Sequence, residues 1–363
     1  MVVACLWGNS LARGASTREK MMALVLRGLS EIVQHKRTVY VSSAVKNVFF
    51  RGRKLVLDLG EQESVTPLEN LRRFVIQGKP SFDSGVLYTL LKEDIPVDWL
   101  DRFGRPMGIL APLDHGDGAL RLLQARFCAS ANDALDLARN VICAKIDNVA
   151  DLIRRRESMP RGWKSVRSRA EMARNSAELR GAEGYAARMF FGLWQNWLAP
   201  FPWQGRVPYP APDPVNSLLS LGYGLLHNRL ASALRHYGLD PRQGFFHASR
   251  GRHCALASDL MEDMRYAVDS TVLQMVSKHQ VKPEDFAMRG ERCVLAGQEA
   301  FKRVFESFEN MFSREWAYSN DPQGTRSFIS LNDRIDDTAE NFCQHIRGKE
   351  QYVPFRRELW AIA

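Results

Sequence analysis

In the stretch GFFHASRGRHCALASDLMEDMR, residues 244–265, His247 stands twelve residues ahead of Asp259, and Glu262 and Asp263 follow at once. The acids lie inside the apolar run Leu256, Leu260, Met264 and Val268, so the spacing predicts a helix that places them on neighbouring points of one face. Like charges so placed repel. They are tolerated if solvated, if arginines such as Arg265 neutralise them, or if they ligate a cation. A further acid, Glu183 in GAEGYAARMFFGLW, sits among small and aromatic residues, where solubility is a poor reason for a carboxylate. One histidine with two or three carboxylates suits Mg²⁺ or Mn²⁺ better than zinc, which recruits more histidine and cysteine. The chemistry expected of such a set is phosphoryl transfer on a polyanion.

The chain as a whole carries the opposite charge. Its 363 residues hold 50 Lys and Arg against 41 Asp and Glu, a formal +9, which favours nucleic acid or, less specifically, an anionic membrane surface as partner. The net positive surface gathers the polyanion, while a local acidic pocket holds an ion which that surface would otherwise repel. Six scattered cysteines show no CxxC spacing, which argues against structural zinc and a secreted disulfide framework and for a reducing cytoplasm. Neither a signal peptide nor an apolar run long enough to span a membrane is evident, and no GxxxxGK[ST] phosphate loop occurs.

Several regimes must position these residues. Residues 1–36 read as a basic amphipathic helical extension, with Met21, Leu24, Val25, Leu29 and Ile32 at helical spacing. Residues 37–112 read as a β-rich domain: TVYVS, NVFFRG, RKLVLDLG, SVTPL and RRFVIQG as an antiparallel sheet, a helix over residues 81–94, the strand PVDWLD, and a short strand at Met107–Leu110. A linker is expected at 113–118, a helical catalytic domain at 119–345 and a tail at 346–363. Within the helical part, Asp213 and Pro214 start a long helix and Gly238 stops it. The arginine-rich run 152–180 is either a solvated face or a surface for nucleic acid. Trp194, Trp197 and Trp203 read as core rather than base-stacking platforms, and His227, His236 and His253 need no catalytic role.

With these segments side by side, the chain resembles CRISPR-associated protein 1, from about Val39 to Phe312. The resemblance rests on TPLENLRRFVIQG, IPVDWLDRFGRPMGIL, ARNVICAKIDN, GAEGYAARMFF, DPVNSLLSLGYGLL, GFFHASRGRHCALASDLMEDMR and VKPEDF, in that order. It implies an α+β multidomain fold, with an N-terminal β-sandwich-like domain followed by an all-helical catalytic domain. Glu183, His247 and Glu262 would be metal ligands for Mg²⁺ or Mn²⁺, and Asp259 the additional catalytic acid. It also implies a homodimer, assembly with CRISPR-associated protein 2, and an associated or fused reverse transcriptase in some relatives. The activity implied is integration of a DNA prespacer at a CRISPR repeat by 3′-hydroxyl transesterification, with endonuclease activity when water takes the hydroxyl's place. Arg188, Asn216, Arg250, Arg252 and Arg265 are the expected DNA contacts, by phosphate pairing or, for Asn216, from a helix N-terminus. The sequence departs from the family pattern at Ala248, Ser258 and Tyr266, which bears on the loop geometry beside His247. Two rival readings are a casposon-type transposase using the same site and a non-catalytic DNA-binding scaffold.

Overall fold

The β-branched and aromatic runs each form a strand, in a computed structural model that describes residues 37–42, 45–101, 106–112, 117–208, 210–248, 251, 253–318 and 327–356. The extension 1–36, most of the 113–118 linker, Arg250 and Arg252 lie outside the described residues. Contacts divide the chain into two units, at residues 115 and 116.

In the first unit, β1 (Arg37–Ser42), β5 (Leu71–Gln77), β6 (Val97–Leu100) and β7 (Pro106–Leu110) form one sheet in the order β1-β5-β6-β7. A second sheet is the meander β2 (Asn47–Arg51), β3 (Lys54–Asp58) and β4 (Glu63–Pro67). A single antiparallel sheet was the expectation for these runs, and it is corrected here: β1 pairs β5, and β5 pairs β6, in parallel. Parallel neighbours need a long crossover. The β2–β4 meander supplies one, and helix α1 (Ser84–Lys92), capped by Asp83 accepting from the Gly85 N–H, supplies the other. One core joins both sheets and α1, with Val41, Val48, Leu55, Leu57, Phe74, Ile76, Leu90 and Val97 buried together.

The second unit is mainly helical. Its helices are α2 (Gly118–Ala129), α3 (Ala131–Arg154), α4 (Trp163–Glu171), α5 (Ser176–Leu193), α6 (Pro214–His236), α7 (Ala255–Leu260), α8 (Arg265–Ser277), α9 (Gln298–Ser313) and α10 (Leu331–Ile346). Side-chain caps start several of them: Asp117 for α2, Ser130 for α3, Asn175 for α5, Asp213 for α6 and Ser330 for α10. The expected helical domain is what the second unit shows, with two short hairpins added to it, β8 (Phe286–Arg289) with β9 (Arg292–Leu295) and β10 (Glu315–Tyr318) with β11 (Ser327–Ser330).

Helix α8 is buried nearly all round, from Tyr266 to Val276, its polar Asp269, Ser270 and Thr271 included, and such a helix belongs at the centre of a bundle. It crosses α6 at Gly222, where a Cβ would lie 2.5 Å from Val268 Cγ1 and 2.6 Å from a Phe308 ring atom of α9. Only the missing side chain lets the three helices approach this closely. Trp194 and Trp203 are buried in the same core, and Trp197 is half-buried beneath the Arg156 guanidinium.

Candidate active site

The carboxylates of 259–263 do not share a face. The chain leaves α7 at Leu260, passes through a 3-10 turn at Glu262–Met264 and re-enters helix at Arg265. That break sends Asp259, Glu262 and Asp263 to three different partners, which removes the repulsion an uninterrupted helix would impose.

Asp259 serves the turn that carries His247. Its buried carboxylate accepts the backbone N–H groups of Phe245 at 2.6 Å, Phe246 at 2.9 Å and His247 at 2.8 Å. The same group meets His247 Nδ1 at 2.6 Å, so Nε2 is the ring nitrogen turned outward to a ligand. Gly244 makes room for this, since a Cβ there would stand 2.5 Å from Asp259 Oδ2. The hydrogen bond that the His247 ring donates to Asp259 holds the imidazole above its ordinary pKa against the opposing pull of burial, with the Glu262 charge adding to the rise.

Glu262 faces the other way, into charge. Its buried carboxylate pairs with Lys145 Nζ of α3 at 2.6 Å and with Arg265 Nη2 at 2.8 Å. Burial alone would raise its pKa, but Arg265 and Lys145 outweigh it and hold the group ionised below the usual range. Lys145 also donates to Glu183 Oε1 of α5 at 2.5 Å. One ammonium therefore joins two carboxylates from separate elements. Burial depresses the Lys145 pKa, and the two acids more than reverse that, so it stays charged. Glu183 is the open side of this set, its side chain 25% exposed against 3% for Glu262.

Asp263 lies behind, fully buried, accepting the Phe355 N–H at 2.6 Å. Asn148 of α3 donates to both Asp263 O and Phe355 O, at 2.7 and 2.9 Å. Phe355 stacks on Tyr266 at 5.7 Å, so the chain beyond α10 is strapped against the turn bearing Glu262. On the other side of Lys145 and Glu183, a cavity of about 210 Å³ is walled by Ile146, Ala186, Phe190 and Phe191 and edged by Arg206, Tyr223, Arg265 and Asp269. There the Tyr223 hydroxyl donates to Asp269, and burial pushes the Asp269 carboxyl up to about 6.

The donor types fit a hard or borderline divalent ion: two carboxylates and one imidazole nitrogen. No three His, Cys, Asp or Glu side chains among the described residues are gathered as a metal cage. Instead the Lys145 ammonium stands in for a cation between Glu183 and Glu262, and His247 lies within electrostatic reach of Glu262.

The expected DNA contacts scatter. Asn216 is corrected outright: it is fully buried, accepting from Arg206 and the Val207 N–H and donating to Gly205 O and Asp213, so no atom is left for phosphate. Arg265 is spent on Glu262 and lies over the Tyr223 ring at 5.0 Å, which makes it a local counter-charge. Arg188 is exposed over the Tyr185 ring at 5.7 Å. His253 hydrogen-bonds Ser258 Oγ at 3.1 Å and stacks on His227. The residues that sequence reasoning passed over are Lys145, Asn148, Tyr223 and Asp269. Each is a polar group embedded in a buried helical stripe, and that is the signal by which they stand out.

A family profile described as CRISPR associated protein Cas1 matches residues 39–310. The chain is 31% identical over 313 residues to the CRISPR-associated endonuclease Cas1 1 of Thermus thermophilus, covering 85% of this chain and 95% of that relative. In fold it is similar to a chain of a partial Cas6-RT-Cas1–Cas2 complex, with TM-score 0.77 and 22% identity over 90% of this chain and all of that one. A casposase bound to integration product gives TM-score 0.69 at 19% identity, again over 90% of this chain and all of that one. By sequence over most of its length, and with the matching α+β architecture, this chain belongs to the Cas1 family.

Proposed function

We propose that the chain is a metal-dependent DNA integrase and endonuclease that joins short DNA fragments to a CRISPR repeat. The observation that carries this reading is the Lys145 ammonium held by Glu183 and Glu262, together with a histidine that feels the Glu262 charge and whose Nδ1 is tied down by Asp259. Two acids from distant segments converge on a cation, and the imidazole within electrostatic reach of Glu262 is aimed rather than merely buried. Glu183, His247 and Glu262 would hold Mg²⁺ or Mn²⁺, which when bound supplies charge neutralisation at a phosphodiester and a more acidic hydroxyl nucleophile.

The protein's own part is positioning. Asp259 fixes the tautomer and direction of His247, and the half-buried Arg265 keeps Glu262 ionised. The α5 face leaves Glu183 partly exposed, where a DNA strand can come in. In the reaction a DNA 3′-hydroxyl oxygen bonds to the phosphorus at the repeat's 5′ edge as the bond from that phosphorus to the 3′-oxygen of the flanking strand breaks; the hydroxyl proton passes to solvent, and the departing 3′-oxygen takes a proton up. The number of phosphodiester bonds is conserved, so no nucleotide is consumed. Water in place of the hydroxyl gives cleavage. Insertion at both ends of a fragment needs two sites, which supports a homodimer. The likeness to a chain from a complex naming Cas2 and a reverse transcriptase supports those partners.

Alanine at His247 or glutamine at Glu262 is expected to abolish strand transfer with circular dichroism and DNA affinity little changed. Retained strand transfer refutes the assignment. Manganese-dependent cleavage of branched DNA, lost in Glu183→Ala, separates the enzyme from a scaffold. The casposase likeness keeps one second reading in view, insertion of mobile-element ends, which predicts preference for terminal inverted repeats over a CRISPR repeat.

A further inference from the structure

We propose that Lys145 is a built-in counter-cation that competes with the divalent ion for Glu183 and Glu262, and that on ion binding its ammonium swings into the adjoining cavity to pair with Asp269. The inference rests on the metal-binding reading of these acids. An ammonium and a divalent ion cannot both sit between carboxylates that already close to 2.5 and 2.6 Å around Lys145 Nζ. Two cations brought together at half-buried positions repel strongly, so one must leave.

The structure offers the ammonium a place to go. Lys145 and Asp269 line the same cavity of about 210 Å³, room enough for an ammonium to turn. Among the described residues Asp269 is the one carboxylate on that wall besides Glu183, and it feels the charge of Lys145. Its second acceptor capacity is open to a cation while Tyr223 donates to Oδ1. A lysine's flexible stem and compact head allow such a swing, whereas an arginine fork would not clear. Without metal, Lys145 and Arg265 balance Glu183 and Glu262 charge for charge, which lets the acids stay gathered before the ion arrives.

The test measures Mn²⁺ affinity by titration calorimetry, and melting temperature with and without chelator, on the full chain. Lys145→Met is expected to bind Mn²⁺ more tightly, by roughly tenfold or more, while its chelated form melts lower. Arg265 still pairs with Glu262 in that variant, and Glu183 is partly solvated, so folding is expected to survive. Asp269→Asn is expected to weaken Mn²⁺ binding in the wild-type background and to change nothing in the Lys145→Met background, because the displaced charge is then absent. Lys145→Arg, which keeps the charge and the fold, should bind Mn²⁺ more weakly than wild type. Weaker or equal binding by Lys145→Met overturns the competition. An Asp269→Asn effect that persists without Lys145 overturns the destination. If wild type and every variant fail to bind Mn²⁺, the metal-binding reading itself falls.

Discussion

Asp259→Ala is the perturbation with the most legible consequence. The wild-type carboxylate is buried and accepts three backbone N–H groups, from Phe245, Phe246 and His247, besides contacting His247 Nδ1. Alanine leaves those N–H groups without their acceptor. Orphaning a buried donor costs about 1–3 kcal/mol, and with partial relaxation of the turn the loss should total about 3–6 kcal/mol. Asparagine keeps one carbonyl oxygen but turns an NH₂ toward other donors, so Asp259→Asn should fall between alanine and wild type. Denaturant unfolding reads the stability, and amide hydrogen exchange at residues 245–247 reads the local loosening. Both should change, and strand transfer should fall in both variants because His247 loses its fixed ring orientation. Gly244→Ala should reproduce the loosening, since its Cβ would displace Asp259 Oδ2. Unaltered exchange at 245–247 in Asp259→Ala would refute the idea that this acid organises the histidine turn.

Other consequences are simpler to state. The Asp269 carboxyl is raised to about 6 by burial, so the folded state binds more protons than the unfolded one between the ordinary aspartate range and about pH 6. Stability from this group is therefore full in acid and falls as pH rises through that window, by about 3 kcal/mol at most. Subtracting the Asp269→Asn stability curve from the wild-type curve should isolate that fall, and parallel curves would contradict it. Gly222→Ala should cost about 1–3 kcal/mol by overpacking α6 against Val268 and Phe308, read by chemical denaturation; a neutral change would contradict the close approach. DNA binding by this chain of formal charge +9 should weaken steeply as salt rises, measured by fluorescence anisotropy, and salt-independent affinity would contradict an electrostatic footprint.

Much of this was legible in residue order, and the exceptions have physical causes. Asp213 before Pro214 marks a helix start because both residues act locally, through a side-chain cap and a missing N–H. Strand runs such as NVFFR and KLVLD were readable for the same reason. Their directions were not, because parallel pairing of β1 with β5 depends on an excursion of the chain that periodicity does not record. The acids 259–263 were visible as a cluster, but their dispersal depends on a 3-10 break that the unbroken apolar spacing concealed. Lys145 shows the limit most clearly. Its role comes from Glu183 and Glu262 meeting in space, 38 and 117 residues away along the chain.

The proposed function requires Glu183, Glu262 and His247 to hold one divalent ion. Anomalous diffraction from manganese-soaked crystals tests it most directly. A single strong peak per chain is expected, bonded to His247 Nε2 and to oxygens of Glu183 and Glu262, with Lys145 Nζ moved out from between the acids. A peak elsewhere, or none while Lys145 still bridges the two carboxylates at saturating manganese, would contradict it.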